Sequence, residues 1–131
     1  MARPTNRIIR ERVVRGFAAA LGAVMLITAC SGGTTAGTPV PTGALAHDAE
    51  VLRGRTIFAE QCATCHGDAG GGGVGPSFHD EKLLNDFPTV AAQIAFVKRG
   101  RGIMPAWAGK LTEAQIRAVV RYEREVLSPL K

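Results

Sequence analysis

The chain has 131 residues and a formal net charge of +5, a length that suits one small domain. The first 29 residues contain five arginines and one glutamate, so the chain from Cys30 onward carries a net charge of only about +1. The overall basic charge therefore gives no support for nucleic acid or an acidic macromolecule as a partner.

The N-terminus has the pattern of an export signal. The five arginines precede an apolar run over residues 16–29, which is too short to span a bilayer comfortably. The sequence Ile27-Thr28-Ala29-Cys30 resembles a bacterial lipobox. This resemblance implies cleavage before Cys30 and attachment of diacylglycerol to its thiol. The alternatives are an ordinary cleaved signal with a stray thiol, or an uncleaved anchor.

A linker and a small domain are predicted after the signal. Residues 31–45 are rich in Gly, Thr, Ala and Pro and have no apolar periodicity, which is typical of a flexible tether. At ~3.3–3.6 Å per residue, this tether would reach about 50 Å. The domain is predicted over residues 46–131, of which about 85 would fold, and an apolar core alone gives marginal stability at that size.

Three helical segments are predicted in the first part of the domain. Asp48 is a suitable N-cap for a helix that runs to about Gln61. A short helical turn is expected over 81–85, and a longer helix over 89–99 that stops at Gly100. The apolar face of the longer helix is predicted to contain Val90, Ile94 and Val97.

A last helix is predicted to begin at residues 112–115, which have the form of a capping box, and to end at Ser128-Pro129. Its apolar face comprises Ile116, Val119 and Val120. No stretch of the sequence alternates with the period of a strand. These patterns predict an all-α fold and a single domain.

Glycines are concentrated between the first helix and the short turn, at positions 67, 70–73 and 75. This composition favours a mobile surface loop. The loop lacks the Lys-Ser/Thr ending of a phosphate-binding loop, which argues against nucleotide binding.

The motif Cys62-Ala63-Thr64-Cys65-His66 carries the chemistry of the chain. Two thiols at this spacing can add to the vinyl groups of haem as thioethers, and the histidine that follows can bind the iron. A zinc site is less favoured, because four ligands are needed and only His47, His79 and scattered carboxylates are available. A redox dithiol would need a βαβ pattern that is absent here. Haem would also supply an apolar body to a core of marginal size.

Met104 is the candidate for the second axial ligand of the iron. It is the only methionine after the signal and lies 38 residues beyond His66. Pro105 biases it toward an extended conformation, in a loop between two predicted helices. A thioether ligand favours reduced iron and raises the potential. The alternatives are a core methionine, or a bis-histidine site of lower potential with His79 as the ligand.

These motifs resemble a single-haem class I cytochrome c of the small bacterial type, which also occurs as a subunit of oxidases and dehydrogenases. The resemblance covers about residues 48–127. It implies three to five helices wrapped around one covalently attached haem c. It also implies that the first and last helices cross closely, at positions matched here by Gly54, Phe58, Val119 and Tyr122.

The resemblance further implies the surroundings of the haem. The backbone carbonyl of Pro76 would accept a hydrogen bond from the second ring nitrogen of His66. Trp107 would either donate its indole N–H to a haem propionate or pack as a wall of the pocket. Arg99 and Arg101 are candidate partners of the propionates, and solvated surface arginines are the alternative.

The predicted function is the transfer of one electron by a protein tethered through lipid to the outer face of a membrane. No pair of carboxylates and no nucleophile with a base indicates an enzyme. The alternative is a haem domain that binds or senses a small gas at a labile sixth position. The expected partners are a membrane and redox proteins such as an oxidase, reductase or dehydrogenase, but not nucleic acid, and the domain is expected to be monomeric.

Overall fold

The computed structural model describes residues 37–131. Within this range the regular elements are five α-helices and no strand, so the all-α prediction is confirmed. The helices are α1 (Ala49–Ile57), α2 (Ala63–His66), α3 (Lys82–Asp86), α4 (Val90–Arg99) and α5 (Glu113–Tyr122). A 3-10 helix covers Gly43–His47, and π-helical turns cover Phe58–Cys62 and Glu123–Leu127.

The first helix begins where the sequence predicted and ends later. An Asp48 carboxylate oxygen accepts hydrogen bonds from the backbone N–H groups of Glu50 and Val51, at 2.9 and 3.1 Å. Beyond α1 the chain continues through the π-helical turn into α2, because no glycine or proline interrupts residues 55–66. Gly67, with a φ of +78°, then stops the helix. The Cys-x-x-Cys-His motif thus lies at the end of a continuous helical segment.

Helices α1 and α5 cross in close contact at Gly54. A Cβ atom at this position would lie 2.0 Å from the carbonyl oxygen of Ala118 and 2.8 Å from the Cβ of Tyr122. One turn further along, the rings of Phe58 and Tyr122 are 5.7 Å apart. The crossing implied by the resemblance is therefore present, with Ala118 rather than Val119 beneath the glycine.

We expect Gly54→Ala to destabilise the domain by about 1–3 kcal/mol, because the two helices must separate to admit the new methyl group. The effect is opposite in sign to the helix propensity of alanine, which exceeds that of glycine by about 1 kcal/mol. Denaturant unfolding of the haem-loaded protein measures it. Thr56→Ala, at an exposed site of the same helix, is the control. A Gly54→Ala midpoint equal to or above that of the wild type would show that the helices tolerate a side chain here.

Helix α4 has the predicted ends but a different buried face. Thr89 accepts a hydrogen bond from the backbone of Ala92, and Gly100 ends the helix with a φ of +66°. Val97 is buried as predicted, whereas Val90 is 45% exposed. Gln93 is 1% exposed in its place. The prediction for Val90 is wrong because the buried amide of Gln93 finds polar partners on the last turn of the domain.

The last helix follows the predicted pattern. The side chain of Thr112 accepts from the backbone of Gln115, and the side chain of Gln115 accepts from the backbone of Thr112, which completes the capping box. The three predicted apolar residues are buried, namely Ile116, Val119 and Val120. The π-helical turn then extends the segment to Ser128-Pro129, where the helix was predicted to end.

The predicted tether is shorter than its composition indicated. Thr38 and Pro41 are buried. Arg55 donates to the carbonyl oxygen of Thr38 at 2.8 Å, and the carbonyl of Pro39 accepts from Arg55 at 3.1 Å and from the Tyr122 hydroxyl at 2.7 Å. The carbonyl groups of this segment are not paired with a neighbouring strand, and these side chains supply their hydrogen-bond donors instead. Residues 38–47 therefore pack on the domain, and a flexible tether over 38–45 is wrong.

The predicted signal and Cys30 lie outside the described residues. Within residues 37–131, no helix is both long enough and apolar enough to cross a membrane.

Candidate functional site

The two cysteines and the histidine lie together on the last turns of the first helical segment. Cys62 ends the π-helical turn and is half-buried, Cys65 is exposed, and His66 ends α2 and is buried. No disulfide joins these two cysteines. Helical spacing thus brings two thiols and one imidazole to the same end of one segment.

The His66 ring is held by contacts on several sides. Its Nδ1 atom lies 3.0 Å from the carbonyl oxygen of Pro76, the contact that the resemblance implied. Its ring stacks on Phe78 with 4.5 Å between centroids. A Cβ on Gly75 would lie 2.6 Å from the ring, so only glycine allows the backbone to approach this closely. Because the carbonyl can only accept, Nδ1 carries the proton and Nε2 has the lone pair that binds a metal.

The glycine-rich loop lies at the surface as predicted, but backbone hydrogen bonds tie it to the end of α2, so the prediction that it is mobile is wrong. The backbone N–H of Gly72 donates to the carbonyl of His66 at 2.9 Å, and that of Gly75 donates to the carbonyl of Cys65 at 2.8 Å. Gly70 closes the loop by accepting from Phe78 at 2.9 Å. The glycines let the chain turn back over the end of α2, where the last carbonyl groups need partners.

The environment of Cys62 does not suit a redox dithiol. Burial raises the pKa of its thiol above the ordinary value, and the charges of Glu123 and Cys65 raise it further. Attacking thiols in dithiol sites have lowered pKa values, because the thiolate is the reactive form. The neutral thiol at Cys62 therefore argues for a different use of the Cys-x-x-Cys pair.

Met104 lies in the loop between α4 and α5, and backbone hydrogen bonds hold this loop. The backbones of Arg101 and Met104 exchange two hydrogen bonds of 3.0 Å. A Cβ on Gly100 would lie 2.5 Å from the carbonyl oxygen of Met104, so the loop folds tightly over the end of α4. The backbone N–H of Trp107 donates to the backbone carbonyl of Val97 at 3.2 Å. These contacts fix the position of the methionine relative to α4.

The apolar core has two clusters, and each contacts a different residue of the candidate site. The half-buried Cys62 packs against the first cluster and Met104 against the second, and Leu111 contacts both. The buried members of the first are Val51, Ile57, Phe58, Ala63, Phe78, Leu83, Ala118, Val119, Tyr122 and Leu127. Those of the second are Val97, Ile116 and Val120. The donor set fits a flat apolar group, because two thiols and an imidazole come from one segment, a thioether comes from another, and apolar clusters contact both segments.

The other predicted site residues have diverse surroundings. Trp107 is half-buried in the second cluster, and Lys110 lies over its ring at 5.5 Å. Arg99 and Arg101 are both exposed, and within residues 37–131 neither guanidinium pairs with a carboxylate. The Nε2 of His79 bonds the carbonyl of Ala69 at 2.9 Å, which gives this ring another partner than iron.

A buried polar group on the last turn of the domain was not predicted from the sequence. Glu123 is buried, and one of its carboxylate oxygens accepts from the Nε2 of Gln93 at 2.7 Å. Arg124 donates to the Oε1 of Gln93 at 3.1 Å and to the carbonyl of Phe87 at 2.9 Å. One signal was available, because Glu123 follows the apolar Ile116 by seven residues and so continues the same helical face.

Comparison with known proteins decides the family. A family model described as cytochrome c oxidase, cbb3-type, subunit III matches residues 49–122. The chain belongs to this family of cytochromes c. Subunit CcoP of the cbb3-type cytochrome c oxidase of Cereibacter sphaeroides is 43% identical over 82 residues, which cover 58% of this chain and 28% of that protein. Cytochrome c6 of Leptolyngbya boryana is 37% identical over 76 residues, which cover 56% of this chain and 89% of that protein.

Solved structures agree on the fold. The structure of cytochrome c6 from the diatom Phaeodactylum tricornutum superposes with a TM-score of 0.50 at 30% identity, covering 57% of this chain and 91% of that one. Cytochrome cL of Methylophaga aminisulfidivorans superposes with a TM-score of 0.56 at 21% identity, covering 63% and 59%. The class I cytochrome c fold is confirmed. The chain spans little more than a quarter of CcoP and most of cytochrome c6.

Membership of the family sets the cofactor and the general function. Cytochromes c carry covalently bound haem c and transfer electrons, and the thiols, imidazole and divided core of this chain suit that group.

Proposed function

We propose that this cytochrome c is a one-electron carrier with His66 and Met104 as axial ligands of a haem attached through Cys62 and Cys65. The observation that carries the proposal is the orientation of His66. Its Nδ1 is engaged by the Pro76 carbonyl, and its other nitrogen is free on the segment that bears both thiols. When bound, the haem supplies an iron that alternates between Fe(III) and Fe(II).

The protein residues tune and protect that iron. The hydrogen bond to Pro76 increases electron donation by His66 and keeps its ring in one orientation. The bonded loop around Met104 holds the thioether against the second cluster, so that both ligands remain in place during electron transfer. A thioether stabilises Fe(II) and raises the potential. A carrier that keeps both axial ligands binds no substrate at its iron, and so we propose no enzymatic activity.

Arg99 and Arg101 have no carboxylate partner within residues 37–131, which supports them as propionate partners. Both lie at the junction of α4 and the Met104 loop, and a buried or half-buried carboxylate gains most from a guanidinium that is not already paired. Trp107, three residues beyond Met104, is proposed as a wall of the same pocket.

The proposed redox partner is a protein of a respiratory membrane, such as an oxidase, a reductase or a dehydrogenase. The similarity to subunit CcoP supports an oxidase among these. We also propose export and a lipid anchor at Cys30. Because residues 38–47 pack on the domain, only seven residues separate Cys30 from the packed segment, and these span at most about 30 Å. The domain would therefore work close to the membrane surface.

Spectroscopy of the purified haem-loaded protein tests the ligand set. We expect a low-spin spectrum, a reversible one-electron couple and, in the oxidised state, a far-red band from sulfur-to-iron charge transfer. Colour that stays with the chain after denaturation would report the covalent bonds. A high-spin spectrum that changes with carbon monoxide would overturn His/Met ligation in favour of gas binding.

We expect Cys30→Ala, expressed in a bacterium that processes lipoproteins, to release the domain from the membrane or to leave the precursor uncleaved. A lipid-modified cysteine with more than one acyl chain anchors stably without a second signal. Fractionation and intact mass measure both outcomes, with Ser31→Ala as the control at the neighbouring position. Unchanged membrane association with normal cleavage would rule out an anchor at Cys30.

A further inference from the structure

A carboxyl group is buried where the last helix passes the cysteine motif. Glu123 is 4% exposed, although most glutamates in proteins lie at the surface. Within residues 37–131 its side chain has one hydrogen bond, in which Oε2 accepts from the Nε2 of Gln93 at 2.7 Å, and Gln93 is itself 1% exposed. A buried carboxylate usually needs a direct cationic partner. Here a cation, Arg124, contacts the other end of the Gln93 amide instead.

The same carboxyl group lies beside the segment that bears the haem thioethers. Tyr122 and Leu127, which precede and follow Glu123 in the chain, are buried in the apolar cluster against which Cys62 packs. In agreement with this placement, a negative charge on Glu123 raises the pKa of the Cys62 thiol. Because the Cys62 sulfur is the point of attachment of the haem edge in the proposed function, a charge at Glu123 also acts on the iron through a poorly screened interior.

We infer that Glu123 couples electron transfer to proton transfer, by taking up one proton from solvent when the haem gains an electron and releasing it when the electron leaves. The inference rests on the proposed function. The step balances, since the electron comes from the redox partner, the proton comes from water, and the carboxylate becomes a carboxylic acid. No bond to the iron forms or breaks.

The direction follows from charge. Oxidised iron carries one more positive charge than reduced iron and so favours the ionised carboxylate, whereas reduction removes that stabilisation. Burial raises the pKa of Glu123 to about 8, and the hydrogen bond from Gln93 opposes the rise. The carboxyl therefore titrates near neutral pH, where a change of charge on the iron can alter its protonation.

The titration of Glu123 must be distinguished from that of the other groups near it. The π-helical turn after α1 contributes Cys62, α4 contributes the uncharged Gln93, and the last turn contributes the guanidinium of Arg124. The chain after this turn contributes Ser128, whose N–H donates to the Glu123 backbone carbonyl at 2.9 Å. In the loaded protein Cys62 is a thioether and does not titrate. The haem propionates are the competing titratable groups.

The test is the potential of the haem-loaded protein between pH 5.5 and 9.5. Glu123 has one pKa when the haem is oxidised and a higher pKa when the haem is reduced. Between these two values we expect the wild-type potential to fall as pH rises. The fall corresponds to at most a tenfold change in the redox equilibrium per pH unit, or about 59 mV for one electron. In Glu123→Gln the potential should be flat over this part of the range. Glu125→Gln, at an ion-paired surface site on the same turn, is the matched control and should keep the wild-type profile.

A second variant should shift the pH-dependent region rather than remove it. Gln93→Leu removes the hydrogen bond that stabilises the carboxylate, so the pH-dependent region should move to higher pH. A residue with only a packing role would not shift this region. Infrared difference spectra of the wild type provide a direct measurement, because reduction should produce a carboxylic acid C=O band that moves in heavy water and is absent from Glu123→Gln.

The outcomes are distinct. A reversible couple whose potential does not vary with pH, or a Glu123→Gln variant with the wild-type profile, overturns the proton coupling and leaves the electron carrier intact. If Glu123→Gln takes up no haem, an unshifted Gln93→Leu profile or the absence of the infrared band overturns it. A chain with no covalent haem or no reversible couple overturns the proposed function, and the coupling with it.

Discussion

Cys62→Ala and Cys65→Ala are each expected to lose most or all covalent haem, and His66→Ala is expected to lose the proximal ligand. Each cysteine supplies one of the two bonds to the haem edge, and both lie on the last turns of one helical segment. Intact mass and the colour of the denatured chain measure attachment. Thr64→Ala changes an exposed residue within the same motif and is expected to keep full haem content.

The same variants test how the domain is stabilised. The core is divided into two clusters, and a domain of about 85 residues has little apolar burial to spare. We therefore expect the haem-free chain to be largely unfolded in far-ultraviolet circular dichroism. A haem-free protein that is helical and unfolds cooperatively would contradict the view that the haem completes the core, even if the haem is attached in the cell.

The sequence predicted those parts of the fold that depend on local chemistry. The side chains of Asp48 and Thr112 bond the first backbone N–H groups of α1 and α5, and such caps depend on residues two or three positions away. The motif at Cys62, Cys65 and His66 is equally local, because helical spacing alone brings its members together.

The errors occurred where distant residues determine the outcome. The carbonyls of residues 38 and 39 are bonded by Arg55 and Tyr122, which nothing in the composition of the segment indicates. The glycine-rich loop is held by carbonyls at the end of α2 and by the His66 ring. Both segments have a composition typical of flexible chain. In the structure, their backbones instead pack closely against the domain.

The buried face of α4 illustrates the same limit. Hydrophobicity alone predicted that Val90 is buried and that Gln93 is not. A glutamine can be buried, however, if both ends of its amide form hydrogen bonds. Its partners, Glu123 and Arg124, lie 30 and 31 residues away in the sequence. Only the packing of α4 against the last turn of the domain brings these three residues together.

Met104→Ala is expected to keep the haem attached and to lower its potential. The thioether bonds to the two cysteines are untouched, whereas the ligand that favours Fe(II) is lost. We expect a fall of more than tenfold in the redox equilibrium, about 59 mV for one electron. The sixth position should then open, so that carbon monoxide binds the reduced iron readily. With Met104→His, a low-spin bis-imidazole spectrum should replace that of the thioether.

The neighbouring residue provides the control for this loop. Ile103 is 81% exposed, so Ile103→Ala changes the same turn without touching the proposed ligand and should leave the spectrum and potential unchanged. If Met104→Ala also leaves both unchanged, Met104 is not the ligand. His79 would then be tested next, although its Nε2 must first leave the carbonyl of Ala69. In that case the electron carrier would survive only with a lower potential, since a second imidazole lacks the preference of the thioether for Fe(II).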